Sequence, residues 1–462
     1  MSVLNFTGFE GGVQTAGNGG WDVQPFGGTG ASLSTTTVRT GTYALRVNKS
    51  GANQAYLRVY AGWNADGTIN GSVSNATSYV QFWFRYATKP ASNSEIIFLQ
   101  NTTTDANAAL SLTSAGKLQI FDWNIATPTS LATGSATLSA DTWYNIRVKT
   151  VAGSSGTYDV YIDGALDITG SRSWTDTSPN SDIYLGARID TNSQDYDCFF
   201  DDVIIDNASF PDQTSSVKVI KPNANGSTMS WSSGTGSSDY QEVDEIPPND
   251  GTTAYVMSPN TGNPNVGLFD LQSCSDVGIT GTILSFKGQI ITRENTASTS
   301  ATLIRVRSNV TNSDSSTRNG STAITGQTLL LNTDPDTSST WTTSGINAVE
   351  VGAVENNAVS TRCSNVMGYV LYVPSTTIEY ILTAATGSFA LTYQTTVVSR
   401  VITMIASAGA FVLTGFSAML SSSAIWTTIT KSITSWSNGS KNSTSFNNQS
   451  KNSTSWTNRN KS

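Results

Sequence analysis

Short runs of alternating or β-branched residues, each closed by a cluster of Gly, Ser, Asn or Asp, recur along this chain and dictate its fold class. They include Tyr43 to Val47, Tyr79 to Tyr86, Glu95 to Leu99, Lys117 to Phe121, Trp143 to Lys149, Tyr158 to Ile162, Ile183 to Leu185 and Phe199 to Ile205. Successive side chains of an extended segment point to opposite faces, so each run can bury one face. Many short strands between turn residues are the pattern of an antiparallel β-sandwich. Asp163-Gly164, following Tyr158 to Ile162, reads as a hairpin turn. Apolar patterns of 3.6-residue period and helical length are nearly absent, so the expected class is all-β.

At 462 residues the chain is long enough for two or three domains with their own cores. The sequence Pro-Asp-Gln-Thr-Ser-Ser between Phe210 and Val217 reads as a linker that closes a first domain over residues 1–212. A second β-sandwich is expected over residues 217–375, with strands at Thr302 to Arg307 and at Val366 to Val373, where Pro374 ends the last strand. Glu242 and Asp244 would share a face on an extended segment, as a catalytic carboxylate pair does. Pro247, Pro248 and Asp250-Gly251 instead put them beside a turn, where capping and solvation account for them.

From residue 378 onward the chain repeats itself. Two copies of a 22-residue unit occupy residues 378–422, with Leu382, Gly387, Phe389 and Leu391 matching Met404, Gly409, Phe411 and Leu413. A ten-residue period follows over residues 423–462, placing Trp426, Trp436, Phe446 and Trp456 in register. Ten is even, so on an extended chain these aromatics share one face, about 33 Å apart at roughly 3.3 Å per residue. Fixed-period arrays have units that cannot bury a core alone, so the four aromatics are expected to anchor the chain on a neighbouring subunit. The competing reading is a solvated Ser/Asn-rich tail.

Composition excludes several functions. A net charge of -8 argues against a nucleic-acid surface, which needs clustered Lys and Arg. The chain has no histidine, which removes Ser-His and Cys-His nucleophile pairs and the usual zinc ligand. Cys198, Cys274 and Cys363 are odd in number and widely spaced, neither a disulfide framework nor a metal knuckle, and they fit synthesis in a reducing cytoplasm. The opening MSVLNFTGFE lacks the basic and apolar regions of a secretion signal. Val401 to Leu420 is uncharged and long enough to span a bilayer. It overlaps the second 22-residue repeat, however, and is interrupted by Thr403, Ser407, Gly409, Thr414, Gly415 and Ser417, so no membrane partner is expected.

The first domain resembles the laminin-G-like or concanavalin-A-like jelly-roll superfamily. The likeness rests on Gly8-Phe9-Glu10, Gly41-Thr-Tyr43-Ala-Leu45-Arg46, Val80-Gln-Phe82-Trp83-Phe84-Arg85, Thr142 to Val148, Tyr158 to Gly164 and Phe200-Asp201-Asp202-Val203. It implies a glycan-binding concave sheet, for which Trp83, Trp123, Trp143 and Tyr161, with Phe84 and Tyr86, are the aromatic candidates. It also implies a structural calcium where the first and last strands meet, with Glu10 and Asp202 at the matching ends. No other cofactor is implied. The glycosidase form of the fold carries carboxylates two apart on one strand; no Glu-x-Asp-x-Glu run occurs here, so catalysis is not expected.

In the second domain, Val243-Asp244-Glu245, Pro247-Pro248-Asn-Asp250-Gly-Thr-Thr, Leu268-Phe269-Asp270-Leu271 and Trp341 to Asn347 resemble a domain carried by structural proteins of tailed bacteriophages. The Thr-Ala-x-x-Gly-x-Phe-x-Leu-Thr repeat is similar to a phage virion element, with Tyr393 standing where glycine is more common. These resemblances imply a virion structural protein, assembled in the host cytoplasm and placed on the particle exterior as a tail fibre or baseplate appendage. Other virion proteins, further copies of the chain and a host-surface glycan are its expected partners. A head decoration protein without ligand and a bacterial surface adhesin are the alternatives.

Overall fold

A computed structural model describes residues 3–12, 27–28, 30–51, 53–60, 77–101, 106–122, 128–172, 180–188, 195–234, 236, 238–246, 248, 253–262, 264–295, 300–357, 359–375, 378–384, 389–391, 400–406, 411–413 and 437–438. The expected all-β architecture is present: two antiparallel β-sandwiches lie in one compact unit over Met1–Pro374, and a second unit spans Ser375–Ser462.

The first sandwich contains β1 (Val3–Thr7), β2 (Gly27–Gly28), β3 (Ala31–Ser34), β4 (Ala44–Lys49), β5 (Ala55–Tyr60), β6 (Thr77–Thr88), β7 (Ser94–Asn101), β8 (Ala106–Leu112), β9 (Leu118–Asp122), β10 (Thr129–Thr133), β11 (Tyr144–Val151), β12 (Gly156–Ile162), β13 (Ala165–Arg172), β14 (Asn180–Ala187) and β15 (Tyr196–Asp206). Its first sheet runs β13-β12-β11-β6-β15-β4-β3, with β1 also on β15; its second runs β10-β9-β8-β7-β14-β5-β2. Alternation decides what is buried. Val80, Phe82, Phe84 and Tyr86 of β6 face inward beside Ile146 and Val148 of β11, while Leu57, Val59, Leu110, Leu112, Ile183 and Leu185 come from the second sheet. Asp163 and Gly164 both take positive φ, 50° and 83°, as a two-residue turn matched to strand twist requires.

One irregularity in β15 shapes the rest. Its pairing with β6 shifts between Asp201 and Ile204, and inward parity changes from Tyr196, Cys198 and Phe200 to Val203 and Ile205. This is the signature of an extra residue in one strand. Asp202 sits in the bulge at φ 44°, a left-handed conformation that aspartate tolerates better than most residues. Its carboxylate thereby turns toward the second sandwich, accepting from the Val217 N–H at 2.7 Å.

The second sandwich pairs a sheet built around the long strands Gly281–Glu294 and Thr361–Pro374 with one centred on Asn265–Leu271 and Val349–Glu355. Trp341 packs on Phe286 in this core, and Thr342 caps the one-turn helix Thr343–Ile346 by accepting from the Gly345 N–H. Both strand expectations, near Thr302 and Val366, are met. The two sandwiches share a buried seam of Val3, Phe6, Ile204, Val217, Met367, Tyr369 and Leu371. Lys287 enters it, donating to the Phe6 carbonyl at 2.6 Å and to Asn5 Oδ1 at 3.1 Å. The connecting segment is also fastened down: Arg147 donates to the Pro211 carbonyl and Gln81 to that of Asp212.

In the second unit, strand Ile378–Ala384 pairs in parallel with Arg400–Ala406, and Phe389–Leu391 with Phe411–Leu413. Ile378 lies opposite Arg400 and Phe389 opposite Phe411, so each residue meets its equivalent one 22-residue repeat later. The described parts of Val401 to Leu420 are therefore strands. No helix among the described residues is long and apolar enough to cross a membrane.

Candidate functional site

The outward face of the second sheet concentrates aromatic rings and arginines. Inward-pointing Leu57, Val59, Leu99 and Ile183 alternate with Tyr56, Arg58, Phe98, Asp182 and Tyr184, which point out. Register brings these together: Tyr184 lies opposite Phe98 on β7 and opposite Arg58 on β5, and Ala109 lies between Phe98 and Phe121. The Tyr184 ring meets Tyr56 edge-on at 5.4 Å and Phe98 at 5.9 Å.

Both arginines lie against these rings. The Arg188 guanidinium is 4.2 Å from the Tyr184 ring centre and 5.0 Å from that of Phe98, and Arg58 is 5.4 Å from Tyr184. A cation over an aromatic face gains from the ring quadrupole, more so where water is displaced. Arg58 is also held by Asp182 at 2.7 Å. Burial pushes the Tyr184 phenol above its ordinary range, while Arg58 and Arg188 pull it back down. Phe98 and Tyr184 are buried; Tyr56 and Phe121 are half-buried and Gln119 lies alongside. Flat rings beside planar guanidinium donors can stack on a sugar and hydrogen-bond its hydroxyls or carboxylates.

The aromatic residues singled out from sequence are placed elsewhere. Trp83 is on the outer face of the first sheet, where Arg39 covers its ring at 3.8 Å. Tyr161 is on the same face and packs edge-on against Phe210 at 5.6 Å, with Tyr79 on the same phenylalanine. Trp143 is half-buried just before β11, and Phe84 and Tyr86 belong to the core. Trp123 lies outside the described residues, as do Trp426, Trp436, Phe446 and Trp456. The sequence signal for the second sheet was present as Tyr56-x-Arg58, Phe98-x-Gln100 and Asp182-x-Tyr184, where residues two apart must share a face.

Glu10 and Asp202 do come to the junction of the first and last strands, with the 39–43 loop wrapped around them. Glu10 accepts from the Thr42 and Tyr43 N–H groups, at 2.8 to 3.2 Å. Asp202 Oδ2 accepts from Arg39 at 2.5 Å and from the Thr40 hydroxyl at 2.9 Å, and its Oδ1 accepts from Val217 and Ser216. Asp201 takes the Arg39 and Thr40 N–H groups. Every oxygen of Glu10 and Asp202 thus already serves a donor, and the positive charge at Asp202 is the Arg39 guanidinium. Among the described residues no three His, Cys, Asp or Glu side chains converge to hold a metal ion. This donor set does not fit a calcium ion.

Other reactive groups are engaged or shielded. Glu242 lies in the short 3-10 helix Asp239–Glu242 and binds the Ser233 hydroxyl and the Tyr255 N–H, whereas Asp244 pairs with Lys221. Cys198, Cys274 and Cys363 are free and buried, and burial pushes the Cys363 thiol up to about 12.

A family model described as the concanavalin A-like lectin/glucanases superfamily matches residues 60–214. No curated protein matches the chain. Among solved structures, a cellulose-induced protein is similar at 16% identity and TM-score 0.33, covering 44% of this chain and 97% of its own. A carbohydrate esterase of Shiga toxin-encoding bacteriophage phi24B is similar at 14% identity and TM-score 0.30, over 40% and 91% of the two chains. A carbohydrate-binding module from Bacillus subtilis is similar at 9% identity and TM-score 0.27, over 42% and 99%. At these identities and TM-scores the likeness speaks to neither ligand nor activity. The matched model covers residues 60–214, a stretch that lies within the two packed sheets of the first sandwich, and over that stretch the chain is similar to a concanavalin A-like jelly roll.

Proposed function

We propose that this chain is a structural protein of the exterior of a tailed-phage virion, whose jelly roll binds a host-surface glycan and whose C-terminal repeats join it to neighbouring subunits. The observation that carries the glycan reading is the outward face of the second sheet, where Tyr56, Phe98, Phe121 and Tyr184 meet Arg58 and Arg188. The virion reading rests on the phage-like pieces of the second sandwich and on the 22-residue repeat.

A glycan array probed with the full chain tests the binding reading. The expected result is a restricted set of bacterial surface glycans, with binding weakened in Tyr56→Ala and in Arg188→Ala while both variants keep the wild-type unfolding midpoint. Stacking of one sugar on one ring is on the scale of an aromatic pair, about 0.5 to 1.5 kcal/mol beyond burial, so each single change should weaken binding several-fold or more. Recognition is without turnover: the chain should release no reducing ends from any polysaccharide it binds.

One observation favours a second reading. Phe98 and Tyr184 are buried and both arginines already lie on rings, an arrangement that a purely structural face would also show. A head decoration protein without ligand would give a blank array.

A further inference from the structure

Lysine is rarely buried completely, yet Lys287 is 2% exposed. Its neighbour Phe286 points into the core of the second sandwich, so strand alternation turns Lys287 to the opposite side. That side is the seam, where register sets Lys287 between Tyr369 and Leu330. Its Nζ lies 4.8 Å from the Phe6 ring and 5.0 Å from that of Tyr369. A lysine amine held in such apolar surroundings is the kind that serves as a nucleophile.

Across the seam stands an electrophile, the side-chain amide of Asn5, which is 3% exposed. Asn5 Oδ1 accepts from Lys287 Nζ at 3.1 Å. With a C=O bond of roughly 1.2 Å, the Asn5 Cγ is no more than about 4.3 Å from that nitrogen. Reacting atoms in a near-attack arrangement are roughly 3 to 3.5 Å apart, so a shift of about 1 Å at the end of a long side chain completes the approach. Asn5 Oδ1 also accepts the Phe6 N–H at 2.7 Å. That donor is aimed at the oxygen on which negative charge would develop during attack.

We propose that Lys287 and Asn5 join in an intramolecular amide bond, which cross-links the first strand of the jelly roll to the second sandwich. Nζ adds to Cγ and the Phe6 N–H holds the oxyanion; the Cγ–Nδ2 bond then breaks and Nδ2 departs as ammonia. Of the three hydrogens on the lysine ammonium, one stays on the new amide nitrogen and two leave with Nδ2, which departs as ammonium. No oxidant, reductant or second substrate is consumed. Asp206 is the carboxylate placed to pass these protons. It is fully buried, lies opposite Val3 on the strand beside β1, and shares a face with Ile204, which lies in the seam. Nucleophile and amide meet only through the packed sandwiches, so the bond forms after folding.

Mass spectrometry of the folded full chain tests it. The expected result is an intact mass short by one ammonia and, after trypsin digestion, a branched peptide that joins residues 1–39 to a segment left uncut at Lys287. Lys287→Arg, which keeps a donor for the Phe6 carbonyl, and Asn5→Ala should each restore the full mass and abolish the branched peptide. Asp206→Asn leaves an oxygen for the Ala208 and Ser209 N–H groups that Asp206 now serves. It should slow the loss of ammonia during refolding from denaturant, and an unchanged rate would overturn the role given to Asp206. A folded wild-type chain that retains its full mass would overturn the cross-link. So would a loss of ammonia that maps to another asparagine without a branched peptide.

Discussion

Glu10 is a carboxylate that the fold keeps reluctant to ionise. Its pKa is raised to about 7, first by burial and to a small extent by Asp202, against the pull of the Thr42 and Tyr43 N–H groups and of Lys218. The neighbouring Asp201 is also pushed well up by burial and by Asp202, and Asp202 itself is raised by its own burial against the pull of Arg39. A group whose folded pKa exceeds its unfolded value binds its proton more tightly when folded, so its contribution to stability is greatest at low pH and is lost as pH rises toward the folded pKa. The melting temperature should therefore fall between about pH 4.5 and pH 7. Glu10→Gln, which keeps an acceptor for both N–H groups, should flatten that slope; an unchanged slope in thermal melts across this range would remove Glu10 as its source.

The strands themselves were legible because alternation leaves little choice once one face must be buried. Phe82 shares the inward face of its strand with Val80 and Phe84, and it is fully buried. Phe82→Ala should cost about 3 to 5 kcal/mol in denaturant unfolding. The Asp163-Gly164 turn was equally readable, and Gly164→Ala, at φ 83°, should cost about 1 to 2 kcal/mol by the same measurement. What alternation does not say is what lies over an outward face. Trp83 and Tyr161 looked like free handles because Arg39 and Phe210, which cover them, are far away in sequence. Tyr56 and Tyr184 come together only through the β5-β14 pairing, and no local pattern specifies which strands become neighbours. The β15 bulge was likewise hidden, although the doubled Asp201-Asp202 is where parity had to change. The 22-residue period was readable as well, but not the conformation of its copies; their parallel pairing, Ile378 opposite Arg400, is a finding of the structure.

The two sandwiches act as a single body because their seam is both apolar and hydrogen-bonded. Lys287 satisfies the Phe6 carbonyl and lies 4.8 Å from the Phe6 ring and 5.0 Å from that of Tyr369. Lys287→Met should leave that carbonyl unsatisfied, at about 1 to 3 kcal/mol, and should split a single unfolding transition into two in calorimetry. Such coupling fixes the outward face of the first sandwich relative to the second sandwich. In the function we propose, this face is displayed on the outside of a phage particle. The most direct test is immunogold labelling of intact particles that carry this chain, with an antibody against residues 1–212. Gold at the tail tip or fibres is the expected result. Gold spread evenly over the head would make the chain a decoration protein, and particles without gold would contradict the virion reading.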